Sequence, residues 1–223
     1  MKVFLEREGI YLSKTTVQKY MNEELKLQSI CRRKRPGYRK SRPHKIFPNL
    51  LHQDFRVTEK NQVWCTDFTF LYLTNGDLRF NCTVLDLYDR SVVGTADGYW
   101  ISTDLAIEAL EKALRSQPVF PQGLILHSDQ GSQFTSVKFI TYCQEHGIIQ
   151  SMSKAGCPYD NAPMERYYNT LKEELVNRFY FRTDEELSRS ISEYAYVYYN
   201  QVRPHSHNGY LTPYEKRFNI RRN

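Results

Sequence analysis

The chain has no run of 18 apolar residues anywhere in its 223 positions, so no segment reads as a membrane-spanning helix. Cysteine is scarce and unpatterned. Cys31, Cys65, Cys82, Cys143 and Cys157 are odd in number and form no C-x-x-C pair, which argues against a disulfide framework and a structural zinc site. His205 and His207 lie two apart with no cysteine pair to complete a tetrahedral set. Glu6, Arg7 and Glu8 stand where a secretory leader needs an apolar run, so no leader is expected and the chain is assigned to a reducing cytosol. Sustained heptads and internal repeats are also missing. Acidic residues are missing from one stretch entirely: residues 32–45 hold eight Lys/Arg and no Asp or Glu.

What is present is a lopsided charge. Residues 1–60 carry 15 Lys/Arg against 6 Asp/Glu, a net +9, and the remainder carries 16 against 19, a net −3. Such asymmetry points to a polyanion held by the first segment. Pro36, Gly37 and Pro43 forbid a continuous helix through the basic run, so it reads as an arm or linker lying along phosphates. Phosphate contacts of this kind give affinity and salt dependence rather than sequence choice. The chain also holds 17 Tyr and 12 Phe, most of which are expected in the core.

The elements follow from periodicity and breakers. Residues 2–10 form a short helix ending at Gly9, and Ser13 caps a second helix to about Glu24, with Val17, Tyr20 and Met21 on one face. Two short helices around a glycine turn resemble part of a helix-turn-helix. Strands are predicted over Gln62–Leu73, Arg79–Tyr88 and Ser91–Trp100, joined by turns at Asn75-Gly76-Asp77 and Asp89-Arg90 as an antiparallel meander. An amphipathic helix over Thr103–Ser116, capped by Ser102 or Thr103, leads to a buried strand at Leu124–Ser128. A helix over Thr135–Glu145, a strand at Ile148–Ser151, and a helix from about Asn161 to Arg178, capped by Asn161 or Asp160, follow. Thr183 caps a last long helix over Asp184–Tyr199 whose tyrosines pack, and the tail is read as irregular. The fold class is mixed α/β, a five-stranded mixed sheet flanked by helices. The domain reading is a partial helix-turn-helix-like segment over 1–31, a basic arm over 32–60, a catalytic core over 61–180, and a C-terminal helix and tail over 181–223 packed on the core.

Three acids stand out. Asp67 sits inside an apolar strand, where an unpaired carboxylate is costly. Asp129 closes the run Leu124-Ile125-Leu126, and Glu165 follows it with 35 residues between. Three carboxylates from separate elements can meet on one hard cation. Taken singly, Asp67, Asp86 and Asp160 read equally well as structural or surface acids; the set carries the argument.

The quoted motifs are W-x-x-D-x-T (Trp64, Asp67, Thr69), H-S-D-Q-G-S-Q-F (His127–Phe134), N-A-x-x-E (Asn161, Ala162, Glu165), Lys172 seven residues beyond the glutamate, and Y-N-x-x-R-P-H (Tyr199–His205) with Thr212-Pro213. In this order they resemble the D-D-35-E group of insertion-sequence transposases and retroviral integrases, above all the second-frame product of the IS-three group. The resemblance covers about residues 60–215 strongly and 1–45 loosely. It implies an RNase H-like core in which Asp67, Asp129 and Glu165 hold two Mg²⁺ ions, with Mn²⁺ as a substitute. It further implies metal-dependent cleavage at element ends followed by strand transfer, with no covalent protein–DNA intermediate. The implied partners are DNA, as terminal inverted repeats and target, and either further copies of the chain or an upstream-frame DNA-binding product. Seven helical positions fall about 20° short of two turns, which puts Lys172 on the face of Glu165 about 10 Å further along, within reach of a phosphate. Arg32, Arg33, Lys34, Arg35, Arg39, Lys40 and Arg203 are the other candidate DNA contacts. His127 is read as a packing or hydrogen-bonding neighbour of the site. Two other function classes fit the same residues: a metal-dependent nuclease without strand transfer, and a non-catalytic DNA-binding or regulatory product.

Overall fold

The computed structural model describes residues 1–27, 45–117, 119 and 122–220. It divides into two compact units, Met1–Arg39 and Lys40–Asn223. In the first, α1 (Lys2–Arg7) stops before Gly9, whose φ of +78° suits a residue without Cβ. Ser13 caps α2 (Lys14–Lys19), its hydroxyl accepting from the Thr16 N–H at 3.0 Å, and π-type turns extend it over Tyr20–Glu24. Val17 is buried there, while Tyr20 is exposed. The arm residues Arg32, Arg33, Lys34, Arg35, Arg39 and Lys40 lie outside the described residues.

The second unit is built on a five-stranded sheet in the order β3-β2-β1-β4-β5. β1 (Val63–Tyr72), β2 (Leu78–Asp86) and β3 (Val92–Gly98) form the antiparallel meander the sequence suggested. β4 (Ile125–Ser128) then pairs parallel to β1, and β5 (Ile149–Met152) parallel to β4. The mixed sheet with helices on its faces is therefore the observed one. β1, the longest strand, lies at its centre, hydrogen-bonded on both edges.

Alternation along β1 sorts residues between two cores. Trp64, with Cys82, Val84, Ala96 and Leu126, packs against α3 (Thr103–Ser116) and α4 (Val137–Glu145) through Leu105, Ala109, Leu110 and Phe139. α3 lies so close to β3 that a Cβ on Gly94 would stand 2.3 Å from the Ala109 carbonyl oxygen, so only glycine fits. On the opposite face Val63, Cys65, Leu85 and Leu87 pack against Met164, Tyr167, Tyr168 and Leu171 of α5 (Ala162–Leu171) and against Tyr194, Ala195 and Tyr199. Those last residues belong to the π-type extension, Tyr194–Val202, of α6 (Asp184–Glu193), which Thr183 caps as expected.

Two local expectations are corrected. The tail is not irregular: Thr212 and Glu215 make a reciprocal capping box around Pro213, starting α7 (Pro213–Arg217). α7 delivers Arg217 into the protein, where it is 7% exposed and donates to Asp86, Asp89, Ser91, Asn61 and Gln117 at 2.6–3.1 Å. Asp86, fully buried, is thus a structural acid of this cluster. Neither Asn161 nor Asp160 caps α5 with its side chain, for both are committed elsewhere.

Candidate active site

β1 and β4 run parallel with Cys65 opposite His127. Asp67 lies two residues beyond Cys65 on β1, and Asp129 lies two beyond His127, directly after the last residue of β4. Period-two alternation puts Asp67 on the same side as Cys65, the α5 side. Both carboxylates are half-buried. Each has one oxygen held by a backbone N–H: Phe68 donates to Asp67 Oδ1 at 2.7 Å, and Gly131 donates to Asp129 Oδ1 at 2.9 Å.

α5 is tied to β1 at this level. Asn161 Nδ2 donates to the Thr66 carbonyl at 3.3 Å, and Tyr168 Oη donates to the Asp67 carbonyl at 2.6 Å. Asn161 stands four residues before Glu165 and Tyr168 three after, so all three fall on one stripe of the helix. Glu165 therefore starts from the face of α5 turned toward Asp67, with its side chain exposed. Lys172 continues the stripe, is 9% exposed and places Nζ 4.8 Å above the Phe70 ring. The helix changes there to π-type turns over Lys172–Val176.

Around these side chains the structure is fixed by polar contacts. His127 is fully buried, with Nδ1 2.8 Å from Ser151 Oγ and Nε2 3.4 Å from Ser153 Oγ. Burial pushes its pKa down to about 4, so it is a neutral support of β4–β5 and not a cation. Asp160 accepts from the Lys154 N–H at 2.8 Å, from Gln53 Nε2 at 2.7 Å and from Asn49 Nδ2 at 3.0 Å. These donors, led by Lys154, hold its pKa below the usual carboxylate range and dock the lead-in to the sheet beside the start of α5. The one legible signal was the spacing 161/165/168/172; the side-chain donors to Asp160, Asn49 and Gln53, lie over 100 residues away and left none. Arg203 is half-buried and donates through Nε to both Glu174 oxygens at 2.9 and 3.0 Å.

The donor set is all oxygen, which suits a hard divalent cation. Among the described residues no three His, Cys, Asp or Glu side chains stand close enough, as placed, to hold a metal ion. Asp67 on β1, Asp129 just past β4 and Glu165 on α5 thus come from neighbouring elements, short of a closed coordination shell. No helix among the described residues is long and apolar enough to cross a membrane.

Comparison with known proteins agrees with this architecture. Residues 57–158 match one integrase core domain family and residues 146–213 a second. The chain is 36% identical over 210 residues to the insertion element IS600 uncharacterized 31 kDa protein of Shigella sonnei, across 94% of this chain and 76% of that protein. It is 38% identical over 166 residues to the transposase for insertion sequence element IS904 of Lactococcus lactis, across 74% of this chain and 65% of the relative. Against the transposase InsF for insertion sequence IS3A of Escherichia coli the identity is 34% over 168 residues, across 75% and 58%. The chain thus spans less than two thirds of the length of the last two. Among solved structures, the HTLV-2 integrase catalytic core domain in complex with magnesium (trimeric form) superimposes with a TM-score of 0.56 at 18% identity, covering 73% of this chain and 99% of that one. The BIV integrase catalytic core domain gives 0.53 at 20% identity, covering 71% and 95%. At such identities the likeness is one of fold, and it is the RNase H-like core expected from the motifs.

Proposed function

The chain belongs to the insertion-sequence transposases of the retroviral-integrase-like superfamily, and on that premise we propose that it cleaves DNA at insertion-sequence ends and joins the freed ends to target DNA. The observation that supports this reading is that Asp67 lies on β1, Asp129 directly follows β4, the strand paired with β1, and Glu165 lies on α5, which Asn161 and Tyr168 tie to β1.

We assign Asp67, Asp129 and Glu165 as ligands of two Mg²⁺ ions, for which Mn²⁺ can substitute. When bound, the metal supplies Lewis acidity to the scissile phosphodiester and to the attacking oxygen. The chain's own residues set the geometry. Backbone N–H groups of Phe68 and Gly131 orient the two strand carboxylates, and the Asn161 and Tyr168 tethers fix the height of Glu165 above them. His127, neutral and buried, keeps β4 and β5 in register beneath Asp129. No serine or tyrosine nucleophile is assigned. Lys172 and the arm residues Arg32, Arg33, Lys34, Arg35, Arg39 and Lys40 are assigned to DNA phosphates. Arg203 is a weaker member of that set, since Glu174 already holds its Nε. The substrates would be the element's terminal inverted repeats and a target duplex, in the bacterial cytosol. Pairing of two ends would require several copies of the chain or an upstream-frame DNA-binding partner.

The test is incubation of the full chain with Mg²⁺ or Mn²⁺ and duplexes ending in the flanking inverted repeats. Nicked ends and joined products are expected; cleavage without joining of a pre-cut end would indicate a nuclease, and binding without cleavage a regulatory product.

A further inference from the structure

Toward the start of β1, on the turn that leaves β2, lies a groove of about 480 Å³ lined by His52, Gln53, Asp54, Arg56, Arg90 and His207. Arg90 is the unusual member. It is 8% exposed, its Nη2 donates to the Phe55 carbonyl at 3.2 Å, and its Nη1 is buried without a hydrogen-bond partner. The acids nearest in sequence, Asp86 and Asp89, are both engaged by Arg217, at 3.0 and 2.6 Å. Among the described residues no carboxylate stands within ion-pair distance of Arg90. Asp86 and Asp89 act on it only at longer range, and burial lowers its pKa.

A buried cation without a direct counter-ion is costly, and proteins keep one where something else supplies the charge. The rim adds donors and little net charge. Arg56 is spent on Asp54 in a two-pronged pair at 2.8 and 2.7 Å, while His52, Gln53 and His207 are exposed. Gln53 also donates to Asp160, next to the Asn161 that is tied to β1, so the groove wall is continuous with the support of α5.

We propose that this groove is an oxyanion site of the phosphate class, with Arg90 as its charge and His52 and His207 as rim donors. The phosphate would come from a DNA backbone or from free phosphate; the DNA source rests on the transposase reading, and the free source does not.

Two readouts on the full chain test it, with Arg90→Gln and the exposed double variant His52→Ala/His207→Ala. One is thermal stabilisation by inorganic phosphate against chloride at equal ionic strength. The other is affinity for a duplex without element ends, followed against salt. If DNA fills the groove, the log–log salt slope falls by about 0.9 in Arg90→Gln, one phosphate contact, and affinity drops about tenfold or more. If free phosphate fills it, the slope holds and phosphate stabilisation is lost. Should Arg90→Gln fail to fold, the double variant decides alone, with about threefold weaker binding in one readout. Both readouts unchanged in both variants overturn the site. Cleavage plays no part in either, so the carboxylate assignment stands or falls separately.

Discussion

Replacing Arg217 by Met tests whether the C-terminal helix is a structural key of the core. Arg217 is 7% exposed and bridges Asp86 and Asp89, both fully buried, at 3.0 and 2.6 Å. Methionine fills much of the same volume but leaves two buried carboxylates facing each other. Breaking a buried pair from one side costs about 3–5 kcal/mol. With a urea slope near 2 kcal/mol/M, the midpoint should fall by about 2 M at pH 7. The sign of the pH effect follows from Asp86, whose pKa is already raised, chiefly by burial and then by Asp89, with Arg217 opposing. Removing Arg217 raises it further. A carboxyl whose folded pKa exceeds its unfolded value costs full stability above the folded pKa, and the cost shrinks as pH falls from there toward the unfolded value. The deficit should therefore shrink on acidification from pH 7 to 5, and Asp86→Asn with Asp89→Asn should recover most of it. A loss below about 1 kcal/mol, or one that grows with acid, refutes the reasoning.

Wild-type stability should itself fall by about 2 kcal/mol from pH 7 to 5 through His127 alone, because burial holds its folded pKa at about 4, below the ordinary imidazole value of about 6.5; the unfolded chain takes up the proton first. His127→Gln should flatten that part of a urea-midpoint profile, and a wild-type midpoint that does not move over this range speaks against a buried neutral imidazole. Tyr168→Phe removes the hydroxyl that donates to the Asp67 carbonyl and accepts from the Thr83 N–H; it should raise the Mn²⁺ concentration for half-saturation severalfold in a calorimetric titration while the fold persists, and an unchanged titration denies the tether a role. Alanine at Arg32, Arg33, Lys34 and Arg35 should lower the salt slope of DNA binding by up to about 3.6, four contacts; an unaltered slope makes the stretch a linker.

The sheet was legible because β1, β2 and β3 carry branched and aromatic runs parted by Asn75-Gly76-Asp77 and Asp89-Arg90, which admit tight turns. α3 was legible to its ends because Ser102 caps an unbroken amphipathic pattern. The insertion of β4 beside β1 was not legible, since nothing local fixes which edge a parallel strand joins. The Thr212-Pro213-Tyr214-Glu215 capping box carries a local helix-start signal within the stretch read as an irregular tail. Arg217 and Asp160 find partners over 100 residues distant, at ranges where periodicity is silent. At the site, the three carboxylates and their spacing were visible in the chain. What was not visible is that Asn161 Nδ2 and the Tyr168 hydroxyl donate to β1 backbone carbonyls and so tie the helix of Glu165 to that strand.

The most direct measurement is Mg²⁺-dependent cleavage of an inverted-repeat duplex by Glu165→Gln, with DNA affinity recorded alongside. The account predicts a rate lower by about a thousandfold or more, ~4 kcal/mol in the barrier, at unchanged affinity. Cleavage by Glu165→Gln near the wild-type rate would contradict it.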